Sequence, residues 1–169
     1  MPSGARDAAI SIHLLADLPH LIEPVGRIRW RQWGRPPEPV DPTWWIETTA
    51  REAGRDGLPI TFVAVDGPGR AVGAAGLGEF DLAEIRDRSP WVLGMVVQAD
   101  CRGWGVGRRL LTRIEDYAAR HGYLDVWVAT GGPAVRFYQR CGWWITETVR
   151  QASGEEATVL RKTVAGHPD

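Results

Sequence analysis

The sequence predicts an α/β (α+β) chain with its elements in the order β-α-α-β-β-β-α-β-α-β-β. Three observations predict it. Short apolar runs of strand length recur, among them Ile60 to Val65, Ala71 to Gly78 and Trp91 to Val97. Helical spacing marks other stretches, most clearly Leu110, Leu111, Ile114, Tyr117 and Ala118, which fall on one face of a helix. Clusters rich in Gly, Pro, Asp and Ser separate the two kinds of segment.

Ile10 to Leu15 reads as the first strand, and Leu18, Leu21, Ile22, Val25 and Ile28 form the stripe of a first helix. Gly34 to Pro42 holds four prolines and must be a loop. At its end Asp41 offers a capping carboxylate and Pro42 suits the first helical position, so a second helix runs from Thr43 towards Gly54. Two strands, Ile60 to Val65 and Ala71 to Gly78, flank the turn Asp66-Gly67-Pro68-Gly69. Phe80 to Ser89 is a charged connection to the strand at Trp91. A helix from Val106 to His121, a strand from Leu124 to Thr130 and a short helix from Pro133 to Arg140 follow. Trp143 to Val149 and Thr158 to Val164 close the chain as a hairpin around Ser153-Gly154.

A chain of 169 residues has one-domain length and can bury a core. Its 20 basic and 21 acidic residues are nearly balanced, which gives no footprint for nucleic acid or a membrane surface. No apolar run approaches the ~20 residues needed to cross a bilayer. Met1 to Ala9 is polar and lacks a signal-peptide core, so a cytoplasmic chain is expected. Cys101 and Cys141 have neither metal nor redox spacing, and His13, His20, His121 and His167 are scattered, so no metal site is expected.

The chemistry concentrates in Arg102-Gly103-Trp104-Gly105-Val106-Gly107, between a strand and a helix. Glycines at every second position leave bare backbone amides that run into a helix N-terminus. Orphan amides and the helix dipole both favour a phosphate there. A P-loop is excluded, because it needs lysine after its last glycine and the only lysine is Lys162. A dinucleotide fingerprint fails as well, since its third glycine would fall on Arg108.

Arg102-x-x-Gly105-x-Gly107 resembles the Arg/Gln-x-x-Gly-x-Gly/Ala signature of the GNAT superfamily of acetyltransferases. The lead-in Val97-x-Ala99-Asp100-Cys101-Arg102-Gly103 is similar to the family's Val-x-Pro-Glu-Tyr-Arg-Gly, with Ala and Cys where Pro and Tyr are usual. Downstream, Pro133 to Trp143 resembles its Ala-x-x-Phe-Tyr-x-x-x-Gly-Phe segment, placed on Phe137, Tyr138, Gly142 and Trp143. The resemblance is closest from Trp91 to Trp144. It implies a single acetyltransferase domain over residues 1–169 with its cofactor-binding core at 91–144. It also implies a mixed, mostly antiparallel sheet of six to seven strands flanked by about four helices.

The resemblance further implies acetyl-CoA as cosubstrate and direct attack of an amine on its thioester. Gly103, Trp104, Gly105, Val106 and Gly107 would hold the pyrophosphate, with Arg102, Arg108 or Arg109 meeting a phosphate. The strand before the loop is usually splayed from its neighbour in this family. Met95 and Val96 then offer backbone contacts to the thioester, with Val97 beside them along the pantetheine arm, or they only position that arm. Phe137 lies beside Tyr138, which matches the tyrosine that donates a proton to the departing thiolate; the alternative is a packing role.

An amine of pKa ~10 must lose a proton before attack. The family's usual glutamate on the fourth strand is missing here, and Glu79 is the candidate base, with Asp81 and Glu84 as substitutes. Nine tryptophans are far above the usual share. Trp30, Trp33 and Trp45, with Trp44, lie where the family borders its acceptor pocket and suit a ring-bearing amine. Packing is the competing reading, above all for Trp30 and Trp44. Arg27, Arg31 and Arg35 would make a basic stripe. The reading is an N-acetyltransferase for a small-molecule amine of natural-product, antibiotic or amino-acid type. The alternatives are a protein or peptide N-terminal acetyltransferase and a non-catalytic acyl-CoA-binding sensor. The family often forms dimers, and Trp143-Trp144 offers a homodimer interface.

Overall fold

The computed structural model of the chain describes residues 9–164; the expectations for residues 1–8 and for His167 lie outside the described residues. The strands are β1 (Ser11–Leu14), β2 (Ile60–Val65), β3 (Ala71–Gly78), β4 (Trp91–Val97), β5 (Asp125–Thr130), β6 (Trp144–Arg150) and β7 (Glu156–Thr163). The α-helices are α1 (Ile22–Trp33), α2 (Pro42–Arg51), α3 (Val106–Arg120) and α4 (Ala134–Arg140). Short 3₁₀ turns at Leu15–Asp17, Pro19–Leu21 and Ala99–Cys101 were not legible as such in the sequence. The element order matches the expected one. The seven strands follow the order β1-β2-β3-β4-β5-β7-β6. The pairs β1-β2, β2-β3, β5-β7 and β7-β6 are antiparallel, and β4-β5 is parallel.

Two expected boundaries shift for local reasons. α1 starts at Ile22, because Leu18 and Leu21 belong to the 3₁₀ turn before it. α2 stops at Arg51 and not at Gly54. There the Gly54 amide donates to Pro59 O, and the Thr61 hydroxyl donates to Glu52 O, so the chain is turning into β2. α1 ends at Trp33, so Arg35 leaves the helix and donates to Gln32 O, while Arg27 pairs with Glu23. The basic stripe expected of Arg27, Arg31 and Arg35 is therefore broken.

The described residues form two compact units. Among the described residues the first comprises 9–77 and 94–114, so it holds β1, β2, β3 as far as Leu77, the C-terminal part of β4, α1, α2 and the start of α3. Every residue of β2 is buried, as expected for a strand covered on both faces. Leu15, Leu21, Val25 and Ile28 pack with Val63, Val65, Ala74 and Val96. The second unit, residues 78–93 and 115–164 among those described, has a smaller core of Leu82, Ile85, Trp91, Ala157 and Val159.

A charge sits inside the first unit. Arg29 follows Ile28 on the buried side of α1 and is itself only 2% exposed. Its Nη1 donates to Thr49 Oγ1 at 3.1 Å and to Glu52 Oε1 at 3.3 Å, both carried by α2 or the residue after it. Its Nε donates to Gly94 O in β4 at 3.1 Å. Burial lowers the Arg29 guanidinium from its usual value, and the Glu52 charge opposes that. Burial likewise raises the Glu52 carboxyl, opposed by Arg29 and Arg51.

Two outcomes are expected from this packing. The Asp41 carboxylate accepts from the Thr43 amide at 2.9 Å and caps α2. Asp41→Ala should lower stability by about 1 kcal/mol in urea unfolding. Burial raises Glu52 on folding, so the folded state disfavours its charged form relative to the unfolded chain. Its contribution to stability is present below the unfolded carboxyl value and is lost as pH rises through the higher folded value. Glu52→Gln keeps an oxygen for Nη1 and removes the penalised charge. It should leave stability at pH 7 unchanged or raise it by about 1 kcal/mol at most, with the difference from wild type closing as pH falls towards 4. Unfolding curves at both pH values check this; a clear loss at pH 7 would contradict it.

Candidate active site

The loop after β4 is shaped by backbone angles. Gly103 and Gly105 adopt φ +82° and +77°, in the left-handed region that other residues avoid. A side chain at Gly103 would meet nothing within 4 Å, so the angle and not crowding requires glycine there. The first α3 bond among these residues runs from the Arg109 amide to Gly105 O at 3.1 Å. Val106, Gly107 and Arg108 form the first turn of α3, where backbone amides point out of the helix end. α3 is held by Val106, Leu110, Leu111, Ile114 and Ala118, all buried. Tyr117, expected on the same face, is half-buried and stacks on His121 with ring centroids 3.9 Å apart.

Arg102 works inward. Its Nε donates to Val97 O at 3.3 Å and its Nη2 to Gln32 Oε1 at 2.7 Å, so the side chain ties the loop to β4 and α1. Arg108 and Arg109 are exposed on the first turn of α3, and Trp104 is half-buried. Of the three arginines expected near phosphate, the two on α3 face outward.

β4 changes character along its length. It meets β5 at one registered pair, Trp91 with Trp127. Three residues later Gly94 turns to φ +52°. Beyond that point the Gln98 amide donates to Val72 O of β3 at 2.8 Å. Backbone groups alternate along a strand. The amides of Gln98 and Val96 therefore face β3, and those of Val97 and Met95 face the other way. Val97 O, on that other side, is the one Arg102 reaches. Val96 is buried, and Met95 and Val97 are half-buried.

The tryptophans of α1 and α2 hold the proline loop. Trp30 Nε1 donates to Val40 O at 2.9 Å and Trp45 Nε1 to Pro39 O at 2.8 Å. Trp33 stacks on Trp45 at 6.0 Å, and Trp44 meets Trp45 edge-on at 4.9 Å. Trp45 is buried, Trp30 and Trp33 are half-buried, and Trp44 is 41% exposed. Trp30 fastens the connecting loop, and Trp44 covers the edge of Trp45.

In the second unit, Tyr138 of α4 is 3% exposed. Phe137 and Trp143 approach it edge-on, at 5.4 and 5.3 Å. Burial pushes the Tyr138 phenol well above its usual value, with Cys141 and Asp81 adding to the shift. Asp81 is therefore an acid within electrostatic reach of Tyr138. Glu79 stands one residue past β3 and is exposed, and Glu84 accepts from the Ala152 amide. Trp143 is buried, so of the pair expected to form an interface only Trp144 is exposed. Among the described residues no group of three His, Cys, Asp or Glu could hold a metal, and no helix is long and apolar enough to cross a membrane.

Sequence reasoning missed Arg29 and Gly94. Both left a signal. Arg29 is spaced four residues from Val25 and one from Ile28, on the apolar stripe of α1. Gly94 interrupts an otherwise apolar strand, which is how a bulge or a close approach is written.

The chain matches the family model of the acetyltransferase (GNAT) family over residues 22–143. No curated protein sequence matches it. Among solved structures it is similar to an aminoglycoside 6′-N-acetyltransferase complexed with coenzyme A, with a TM-score of 0.75 and 18% identity over 95% of this chain and 99% of that one. It is similar to an aminoglycoside 6′-acetyltransferase type Ii, with a TM-score of 0.72 and 22% identity over 94% and 99%. A variant of the spermidine N-acetyltransferase of Vibrio cholerae gives a TM-score of 0.69 and 15% identity over 93% and 95%. Glycine loop, element order, sheet order and family match agree: the chain belongs to the GNAT acetyltransferase family.

Proposed function

We propose that the protein is an acetyl-CoA-dependent N-acetyltransferase acting on the primary amine of a small molecule. The observation that carries this reading is the junction of β4 and α3. A loop with two left-handed glycines leads into the N-terminus of α3, directly after a strand that meets β5 at one registered pair. That donor set fits the pyrophosphate and arm of a CoA thioester.

Bound acetyl-CoA supplies an acyl carbon that bonds to the amine nitrogen as the C–S bond breaks. The amides from Gly103 to Arg108 hold the pyrophosphate, with Trp104 beside them and Arg108 or Arg109 at a phosphate oxygen. Arg102 shapes the loop from behind. Met95 is favoured over Val96 for the acyl oxygen, because its amide faces away from β3; Val97 and Phe137 line the arm. Tyr138 stays protonated across the working range, since burial raises its phenol. It donates a hydrogen bond to the departing sulfur and passes on its proton only uphill, because a thiol has pKa ~8.5. Glu79 takes the proton from the amine, with Asp81 as the substitute. Trp33, with the faces of Trp30 and Trp45 left by the proline loop, borders the acceptor.

The proposal treats residues 1–169 as one acetyltransferase domain with its cofactor core at 91–144, located in the cytoplasm and forming a homodimer. An antibiotic acceptor would make the activity a resistance function. Aminoglycosides and polyamines come first among candidate amines, given neighbours named for aminoglycosides and spermidine. Peptide N-terminal acetylation and a silent acyl-CoA sensor are the alternatives.

Thiol release from acetyl-CoA should be measured across aminoglycosides, polyamines, amino acids, aryl-alkylamines and short peptides. The expected result is turnover with a small amine. Turnover confined to peptides would reverse the acceptor class, and CoA binding without any turnover would favour the sensor. Tyr138→Phe should lower kcat by about tenfold to a hundredfold while the KM for acetyl-CoA stays within about threefold. The wild-type rate should show no alkaline loss assignable to Tyr138 below about pH 10, because its raised phenol keeps the proton there.

A further inference from the structure

Arg29 is a costly residue for its place. Methionine or leucine would fill the same space on α1 without taking a guanidinium out of water. Its charge is used on a backbone carbonyl, since Nε donates to Gly94 O at 3.1 Å. The guanidinium also lies against the Gly94 α-carbon. A Cβ built there would fall 2.7 Å from Nε and 2.8 Å from Cζ and Nη2. Only glycine permits this approach, and only glycine readily adopts the φ of +52° found at that position.

The carbonyl of Gly94 and the amide of Met95 belong to one planar trans peptide, and in such a unit they point in opposite directions. Holding Gly94 O against Arg29 therefore turns the Met95 N–H away from α1. The register with β3, set by the Gln98 amide on Val72 O, turns the same N–H away from β3. Two independent contacts thus fix one amide. A cationic donor on the carbonyl also polarises the peptide and makes its N–H a better donor.

We propose that Arg29 is a positioning residue that locks the Gly94–Met95 peptide and so aims the Met95 N–H at the acyl oxygen of a bound CoA thioester. This rests on the reading of β4 as the acyl site. Thr49 and Glu52 hold the guanidinium from its other end, which sets its plane against the strand.

Acetyl-CoA and CoA differ by the acyl group alone, so the pair isolates the effect. Titration of ¹⁵N-labelled wild-type protein should shift the Met95 amide resonance with acetyl-CoA and leave it nearly still with CoA. By calorimetry, Arg29→Met should weaken acetyl-CoA about threefold to tenfold and leave CoA within about twofold, the worth of one hydrogen bond. Arg29→Lys, which keeps a cationic donor within reach of Gly94 O, should recover part of that loss. An equal loss for both ligands in Arg29→Met would overturn the proposal. So would a Met95 amide in the wild type that responds alike to both ligands, a measurement that needs no variant to fold. A wild-type protein that binds neither ligand would overturn the functional reading and this inference with it.

Discussion

A guanidinium lying on the α-carbon of a strand glycine is the constraint around which the first unit is arranged. Arg29 reaches from α1 to α2 and to β4 at once, and each partner limits the others. α2 and the residue that ends it must present Thr49 and Glu52 on the side facing α1. β4 must have no side chain at residue 94. The strand must turn a carbonyl towards the helix at the point where its ladder with β5 has ended. A buried pair of this kind adds little to stability, because both charges are penalised by burial. Its worth lies in fixing where a backbone segment points.

The glycine loop follows the same logic from the other end of β4. Its two left-handed residues turn the chain from β4 into the N-terminus of α3. Arg102 then fastens the loop to Val97 O and Gln32, which leaves α1 and β4 joined twice, near Gly94 and near Val97. Backbone groups, and not reactive side chains, carry most of the proposed recognition. Such groups need rigid support more than they need particular residue types. The tryptophans extend that support outward. Trp30 and Trp45 each bond a carbonyl of the proline loop, so a loop of irregular backbone is held at two points.

The parts legible in the sequence were those written in periodicity and turn chemistry. β2, β3 and β4 fall on their expected residues because continuous apolar runs have one reading when both faces are buried. Asp41 caps α2 as its position predicts. The loop glycines announce themselves by spacing. Contacts between distant elements were not legible. Nothing local says that Arg29 meets Gly94, 65 positions away, although each breaks the pattern of its own element. The fate of Arg102 was hidden for the same reason: its partner Gln32 lies on another element. Trp143 and Trp144 are adjacent and alike, yet Trp143, before β6, is buried beside Tyr138 and Trp144, its first residue, is exposed. The 3₁₀ turns escaped because they are shorter than any period that could reveal them.

The most direct test of the account is a crystal structure of the protein with acetyl-CoA bound. The account predicts the pyrophosphate on the amides between Gly103 and Arg108, and the thioester oxygen within hydrogen-bond distance of the Met95 nitrogen. A cofactor bound elsewhere, or a thioester oxygen contacting neither Met95 nor its neighbours on β4, would contradict it.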